Sequence, residues 1–194
     1  MPQTINVGDD VVLTVNAQDG QYHINAAGLH TDPWPTPTAT LFGGDDNWIA
    51  VLCGTEYGPI TVRVRYLGVA PSITTGERWD MIGERDLVQD PGDHSPTRWG
   101  RDIVVITEIY SDVVAVIAMP PGRYRMRVHV RGRQEAHQRN DPLAAIEEHS
   151  LVFWRVDRAT PPETLTDLDE YGNAILGAVS PKRNGARPTR PRHR

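Results

Sequence analysis

Residues 120–133 constrain the fold more than any other stretch of this chain: Pro-Pro-Gly-Arg-Tyr-Arg-Met-Arg-Val-His-Val-Arg-Gly-Arg. A Pro-Pro-Gly turn leads into strict alternation. Tyr124, Met126, Val128 and Val130 fall on one side, and Arg123, Arg125, Arg127, His129 and Arg131 fall on the other. Successive side chains of an extended strand point to opposite faces. The pattern therefore predicts a half-buried β-strand with an apolar inner face and a cationic outer one.

Similar signals recur along the chain. Val11–Val15 and Tyr22–Ala26 flank an Asp19-Gly20 turn as a hairpin. Asn47–Cys53 reads as a buried strand, and Ile60–Tyr66 alternates after a Gly58-Pro59 turn. Trp79–Leu87 reads as a strand with a bulge at Gly83. Ile103–Tyr110 and Val113–Met119 read as a pair joined through Ser111-Asp112, and Ser150–Val156 as the last strong strand. His30–Thr40 and Asp90–Gly100 read as loops. Short helices are expected near Pro142–Glu147 and within Thr164–Val179, where Gly172 argues against a long one. About eight or nine strands at spacings of roughly 8–12 residues predict an antiparallel β-sandwich or open barrel. The expected organisation is a β-sandwich domain over 1–160, a partly helical extension over 161–180 and a basic tail over 181–194.

Charge divides the chain unevenly. Lys182, Arg183, Arg187, Arg190, Arg192 and Arg194 lie in the last thirteen positions with no acid among them. Residues 1–181 then hold 14 basic and 25 acidic residues, a net of −11, against +6 in the tail. The tail has no large apolar residue, so burial cannot offset its ordering entropy, and disorder in isolation is expected. Its cations attract polyanions: nucleic acid, an acidic partner or the acidic body itself. With no aromatic interleaved, nucleic-acid contact through the tail is expected to be weak, confined to the backbone and salt-sensitive.

Two further surfaces are candidates. From Asp45 to Asp112 there are twelve acids and six arginines, with Trp48, Trp79 and Trp99 among them. Trp79, Asp80, Glu84, Asp86, Asp90 and Asp93 form the candidate contact face for a basic protein, with charge steering the encounter and the aromatic anchoring it. The alternative is that the acids keep the protein soluble. Arg123, Arg125, Arg127 and Arg131, with the tail, are the candidate polyanion-binding residues. Their alternative is a solvated sheet face paired with acids such as Glu84, Glu108 or Asp112 on neighbouring strands.

Catalytic signatures are missing from the sequence. Gly43-Gly44 lacks the Lys-Ser/Thr of a phosphate loop. There is no Gly-x-Ser-x-Gly elbow, no His-Glu-x-x-His and no cysteine pair for zinc. His129, His137, Asp141 and His149 come nearest to a metal cluster and read as solvated surface. Cys53 reads as a small buried hydrophobe. Asp9-Asp10 and Asp45-Asp46 read as turn residues. A non-enzymatic chain without cofactor is expected. With one cysteine no internal disulfide forms, which suits the cytosol. No run of ~18 apolar residues suits a membrane span, and Met1–Asn6 does not begin a signal segment.

Several motifs carry a family resemblance. They are Pro121-Gly122-x-Tyr124-Arg125-x-Arg127-Val128-x-x-x-Gly132-Arg133, then Glu148-x-x-Leu151-x-x-Trp154, with Gly58-Pro59-Ile60-Thr61-Val62 and Trp79-Asp80-x-x-x-Glu84 upstream. Across residues 50–156 the chain resembles the competence protein J family, inhibitors of a DNA-entry nuclease, and its actinobacterial relatives. It departs at Arg155, where the group has proline, and in 157–194, which has no counterpart. The resemblance implies a small non-enzymatic β protein that blocks a partner such as a nuclease. An acidic body that mimics DNA fits the net of −11. It carries no functional residues across.

Overall fold

The computed structural model describes residues 2–26, 40–72, 79–90, 102–110 and 113–179, with side chains to residue 176. The strands are β1 (Gln3–Ile5), β2 (Asp10–Ala17), β3 (Gln21–Asn25), β4 (Phe42–Gly44), β5 (Trp48–Leu52), β6 (Gly58–Leu67), β7 (Met81–Gln89), β8 (Ile103–Thr107), β9 (Val113–Ala118), β10 (Gly122–Arg131), β11 (Glu148–Arg155) and β12 (Glu163–Thr164). Two helices, α1 (Arg133–Arg139) and α2 (Glu170–Val179), complete the described elements.

Two six-stranded sheets form, in the orders β1-β9-β8-β3-β5-β4 and β12-β7-β10-β11-β6-β2. Pairing is antiparallel except between β1 and β9 and between β11 and β6, which are parallel. The β-sandwich expectation holds, with more strands than the sequence predicts. The additional β1, β4 and β12 are two or three residues long. Each lies at a sheet edge, and so short a segment carries no readable period.

The alternation of β10 sets its depth. Tyr124, Met126, Val128 and Val130 are fully buried. They join Leu151 and Phe153 of β11 and Ile60, Val62 and Val64 of β6 on one side of the core, with Tyr22, Ile24, Ile49, Val51, Val104 and Ile106 opposite. Burying one such side chain is worth about 1.5–3 kcal/mol.

Four local expectations are corrected. The chain turns at Asp19-Gly20, but β2 pairs with β6 and β3 with β5 and β8, so the two strands enter different sheets instead of pairing as a hairpin. β7 lies two residues further along than predicted, and Gly83 pairs in continuous register with Val128, without a bulge. A Cβ at Gly83 would stand 2.9 Å from Phe42 Cε2, so glycine there admits the ring of the facing sheet. The helix expected near Pro142–Glu147 lies earlier, at α1. Asn140 ends it in the left-handed conformation (φ 45°). α2 forms despite Gly172 because that glycine falls in the first turn, where its N–H donates to Asp169 Oδ1 at 2.7 Å. Among the described residues no helix is long and apolar enough to cross a membrane. The tail, residues 181–194, lies outside the described residues.

Candidate functional site

The outer face of β10 is a ladder of ion pairs. β7 places Asp86 opposite Arg125 and Glu84 opposite Arg127. Arg125 reaches both acids, Nε to Glu84 at 3.0 Å and Nη1 to Asp86 at 2.9 Å. Arg127 Nε lies 2.5 Å from Glu84, and Arg123 Nη1 lies 2.9 Å from Asp86. Two segments of chain cover the ladder. The carbonyls of Thr160 and Pro161 accept from Arg125 at 2.9 and 3.2 Å. Those of Pro71 and Ser72 lie 3.4 Å from Arg127. The Trp154 ring stacks 5.2 Å from the Arg127 guanidinium.

This cover decides what the candidate residues can do. Arg125 and Arg127 are only 4% and 6% exposed, and Glu84 and Asp86 are 9% and 2% exposed. Residues proposed for two different partners are here each other's counter-charges, as buried charge requires. Arg123 and Arg131 keep more access to water. Arg131 pairs with Glu148 and lies 5.3 Å over Trp79. Trp79 is half-buried, with its ring 5.4 Å from that of His129. Trp48 is buried, while Trp99, Asp93 and the six tail cations lie outside the described residues.

The remaining predicted acids are split. Asp80 and Asp90 are exposed just beyond opposite ends of β7, ~30 Å apart at the rise of a strand. Asp80 Oδ2 accepts the Gly132 N–H at 2.7 Å. Beside Asp90 the structure adds Asp45, Asp46, Asn47 and Val88, and the five line an open depression of about 540 Å³. Asp45 Oδ1 holds that turn, accepting the Asn47 and Trp48 N–H groups at 3.1 and 3.0 Å. Asp46 is tied from beneath by Arg85 at 3.5 Å. Arg85 points inward, donates to the Gly43 carbonyl at 3.0 Å and is pulled below its ordinary pKa by burial.

Between the sheets lies a second polar network that no sequence spacing announces. Glu147 Oε2 accepts from Gly54 N–H at 3.0 Å, Thr55 N–H at 2.8 Å and Thr55 Oγ1 at 2.9 Å. Its Oε1 lies 2.7 Å from His149 Nε2, and His149 Nδ1 lies 3.0 Å from the Tyr22 hydroxyl. The network links β3, the β5–β6 turn and β11, and so cross-links the two sheets. Burial alone would raise the Glu147 pKa. The His149 hydrogen bond and charge, the Thr55 N–H and Arg133 together hold it below its ordinary value. Burial pushes the Tyr22 hydroxyl and the Cys53 thiol well up. His149 and His129 are 1% and 3% exposed, which corrects their reading as solvated surface.

Cys53, Glu147 and His149 place a thiol, a carboxylate and an imidazole within 4.8 Å of one another. The donor types suit zinc. Yet both Glu147 oxygens and both His149 ring nitrogens already have partners, and the nearby Arg133 charge opposes a dication. All three residues are at most 1% exposed, so the cluster presents no chemistry to an external substrate. Arg133, itself fully buried, pairs with Asp169 at 3.2 Å and lies 4.8 Å over Tyr171, which fastens α2 to the sandwich. A Cβ on Gly54 would meet the Arg133 carbonyl oxygen at 1.9 Å, so this close backbone approach needs glycine.

No protein-family model and no curated protein matches the chain. Among solved structures the chain is similar to ComJ, inhibitor of the DNA degrading activity of NucA, from Bacillus subtilis. The identity is 12%, with 76% of this chain and 96% of that one covered and a TM-score of 0.48. It is also similar to the product of crocagin biosynthetic gene J, at 15% identity, with 77% of this chain and 99% of that one covered and a TM-score of 0.43. ComJ carries the name of the family that the strand motifs resemble.

Proposed function

We propose that this chain is a non-enzymatic β-sandwich that binds a basic protein through an acidic surface, in the manner of an inhibitor, with a nuclease as the partner class. One observation carries the reading: three acids gather at the surface beside the end of β7, next to arginines that are themselves paired. Arg85, Arg125 and Arg127 are turned to internal acids and carbonyls, while Asp45, Asp46 and Asp90 stand exposed around one depression. Such a face steers a cationic partner and sets its register. The contact centres on the end of β7 at Asp90, because Glu84 and Asp86 belong to the ladder.

The test is capture from native lysate at moderate salt by the wild-type chain and by an Asp90→Lys variant, which leaves the Asp45 turn intact. A stoichiometric basic protein held by the first and lost by the second, at unchanged melting temperature, supports the reading. Equal capture by both sinks it.

A further inference from the structure

At the other end of the sandwich three turns are fastened together. Gly20 N–H donates to the Glu56 carbonyl at 3.0 Å, and Cys53 N–H donates to the Gly20 carbonyl at 2.7 Å. Tyr110 N–H donates to Gln18 Oε1 at 2.9 Å, and Asn16 N–H donates to Glu108 Oε1 at 2.9 Å. Asp19 stands at the centre in the left-handed conformation (φ 52°). Its two carboxylate oxygens accept one hydroxyl each, from Tyr57 and from Tyr110. That hydrogen bond pushes the Tyr57 hydroxyl up to about 12.

The result is a pair of phenol rings held by their oxygens with much of their surface in water. Tyr57 is 48% exposed and Tyr110 is 61% exposed. Glu56 is exposed beside Tyr57, and Glu108 is half-buried two residues before Tyr110. Restrained aromatic surface ringed by acids is a receptor for guanidinium, which stacks on a ring face while a carboxylate balances its charge.

We propose that this clamp is the docking surface for the chain's own basic segment, residues 182–194, whose arginines lie on the Tyr57 and Tyr110 rings with Asp19, Glu56 and Glu108 as counter-charges. Two facts select this occupant. The segment holds six cations and neither acid nor aromatic, so it brings what the clamp lacks and needs what the clamp presents. It is also tethered within reach. α2 begins on the clamp's side of the sandwich, since Gly54, three residues before Tyr57, packs on the Arg133 backbone and the Arg133 guanidinium lies 4.8 Å over the Tyr171 ring. The helix is ~15 Å long, and the fifteen residues after it span up to ~50 Å. Docking hides the cations from polyanions and leaves the Asp45–Asp90 surface free, so the two proposals fail independently.

The test is limited trypsin digestion of the full chain at low salt. The readout is cleavage after Arg183 and Arg192, compared with a synthetic peptide of residues 182–194. Docking for nine-tenths of the time slows cleavage about tenfold relative to the peptide, and high salt abolishes the difference. A Tyr57→Ala/Tyr110→Ala variant is expected to be cut at the peptide's rate. Glu56→Gln/Glu108→Gln, which leaves the rings intact and guards against a folding defect, is expected to lose about half of the protection on a logarithmic scale. A tail cut as fast as the peptide in the wild-type chain overturns the proposal. So does protection that survives both variants, or protection that grows with protein concentration and so comes from a neighbouring copy.

Discussion

The ladder outside β10 and the Glu147 network between the sheets both take charge out of water, but by different means. The ladder is made by register. Its acids and arginines face each other on adjacent strands, and loops supply further carbonyls as cover. The Glu147 network is made by convergence, with Tyr22 and His149 separated by 127 positions in the chain. A register ladder has several redundant acceptors per cation and borders solvent. A convergent node has one carboxylate serving several donors with no substitute. An alternating row of arginines therefore describes how a sheet face is covered before it describes a binding surface.

The largest expected effect breaks the convergent node. Glu147→Ala strands the Gly54, Thr55 and His149 donors in a dry interior, and a loss of about 3–5 kcal/mol is expected. Glu84→Ala strands Arg125 and Arg127, yet Asp86 and four loop carbonyls remain, so about 2–3 kcal/mol is expected. Equilibrium urea unfolding of both variants measures the difference. If Glu84→Ala costs more than Glu147→Ala, the contrast between register and convergence is wrong.

That contrast also explains what the sequence could disclose. A period of two around Arg125 and Arg127 is a local signal, and it gives the strand, its buried face and the availability of acids on a neighbour. It cannot reveal that Pro71, Ser72, Thr160 and Pro161 will lie over the outer face, because cover is a tertiary event. The same absence of a local signal hides the node. Glu147 ends the stretch expected to be helical and His149 reads as solvated surface, while their partners Gly54, Thr55 and Tyr22 lie far away in the chain. Of the predicted acidic contact face, Glu84 and Asp86 fall within the ladder, and β7 separates the exposed Asp80 and Asp90. The depression at Asp90 needed Asp45 and Asp46, which another sheet delivers.

A third expectation sharpens the comparison through pH. The folded Glu147 carboxyl is held below the ordinary carboxylate range by His149, the Thr55 N–H and Arg133, against the effect of its burial. A group with a depressed folded pKa adds stability above the unfolded pKa and loses it as pH falls through the folded one. Stability is therefore expected to decline progressively below about pH 4.5. Glu147→Gln, which keeps the shape but cannot ionise, should flatten that acid limb. Denaturant midpoints measured between pH 3 and pH 7 read the slope directly. An unchanged slope in the variant would show that other carboxylates carry it.

The smallest expected effect comes from an ion pair on the same sheet that lacks cover. Arg63 meets Asp10 with two hydrogen bonds, at 2.7 and 2.6 Å, a geometry as good as any rung of the ladder. Its side chains are 49% and 42% exposed, so water and salt screen the pair and each partner is solvated when the other is removed. Arg63→Ala is expected to cost about 0.5 kcal/mol, fading further in molar salt. Set beside Glu84→Ala, this pair holds geometry constant and varies only burial. If it matched the ladder in cost, the short distances themselves would be the source of stability. A several-fold smaller cost instead assigns the difference to the segments that lie over the sheet, where one charge cannot be removed without stranding another.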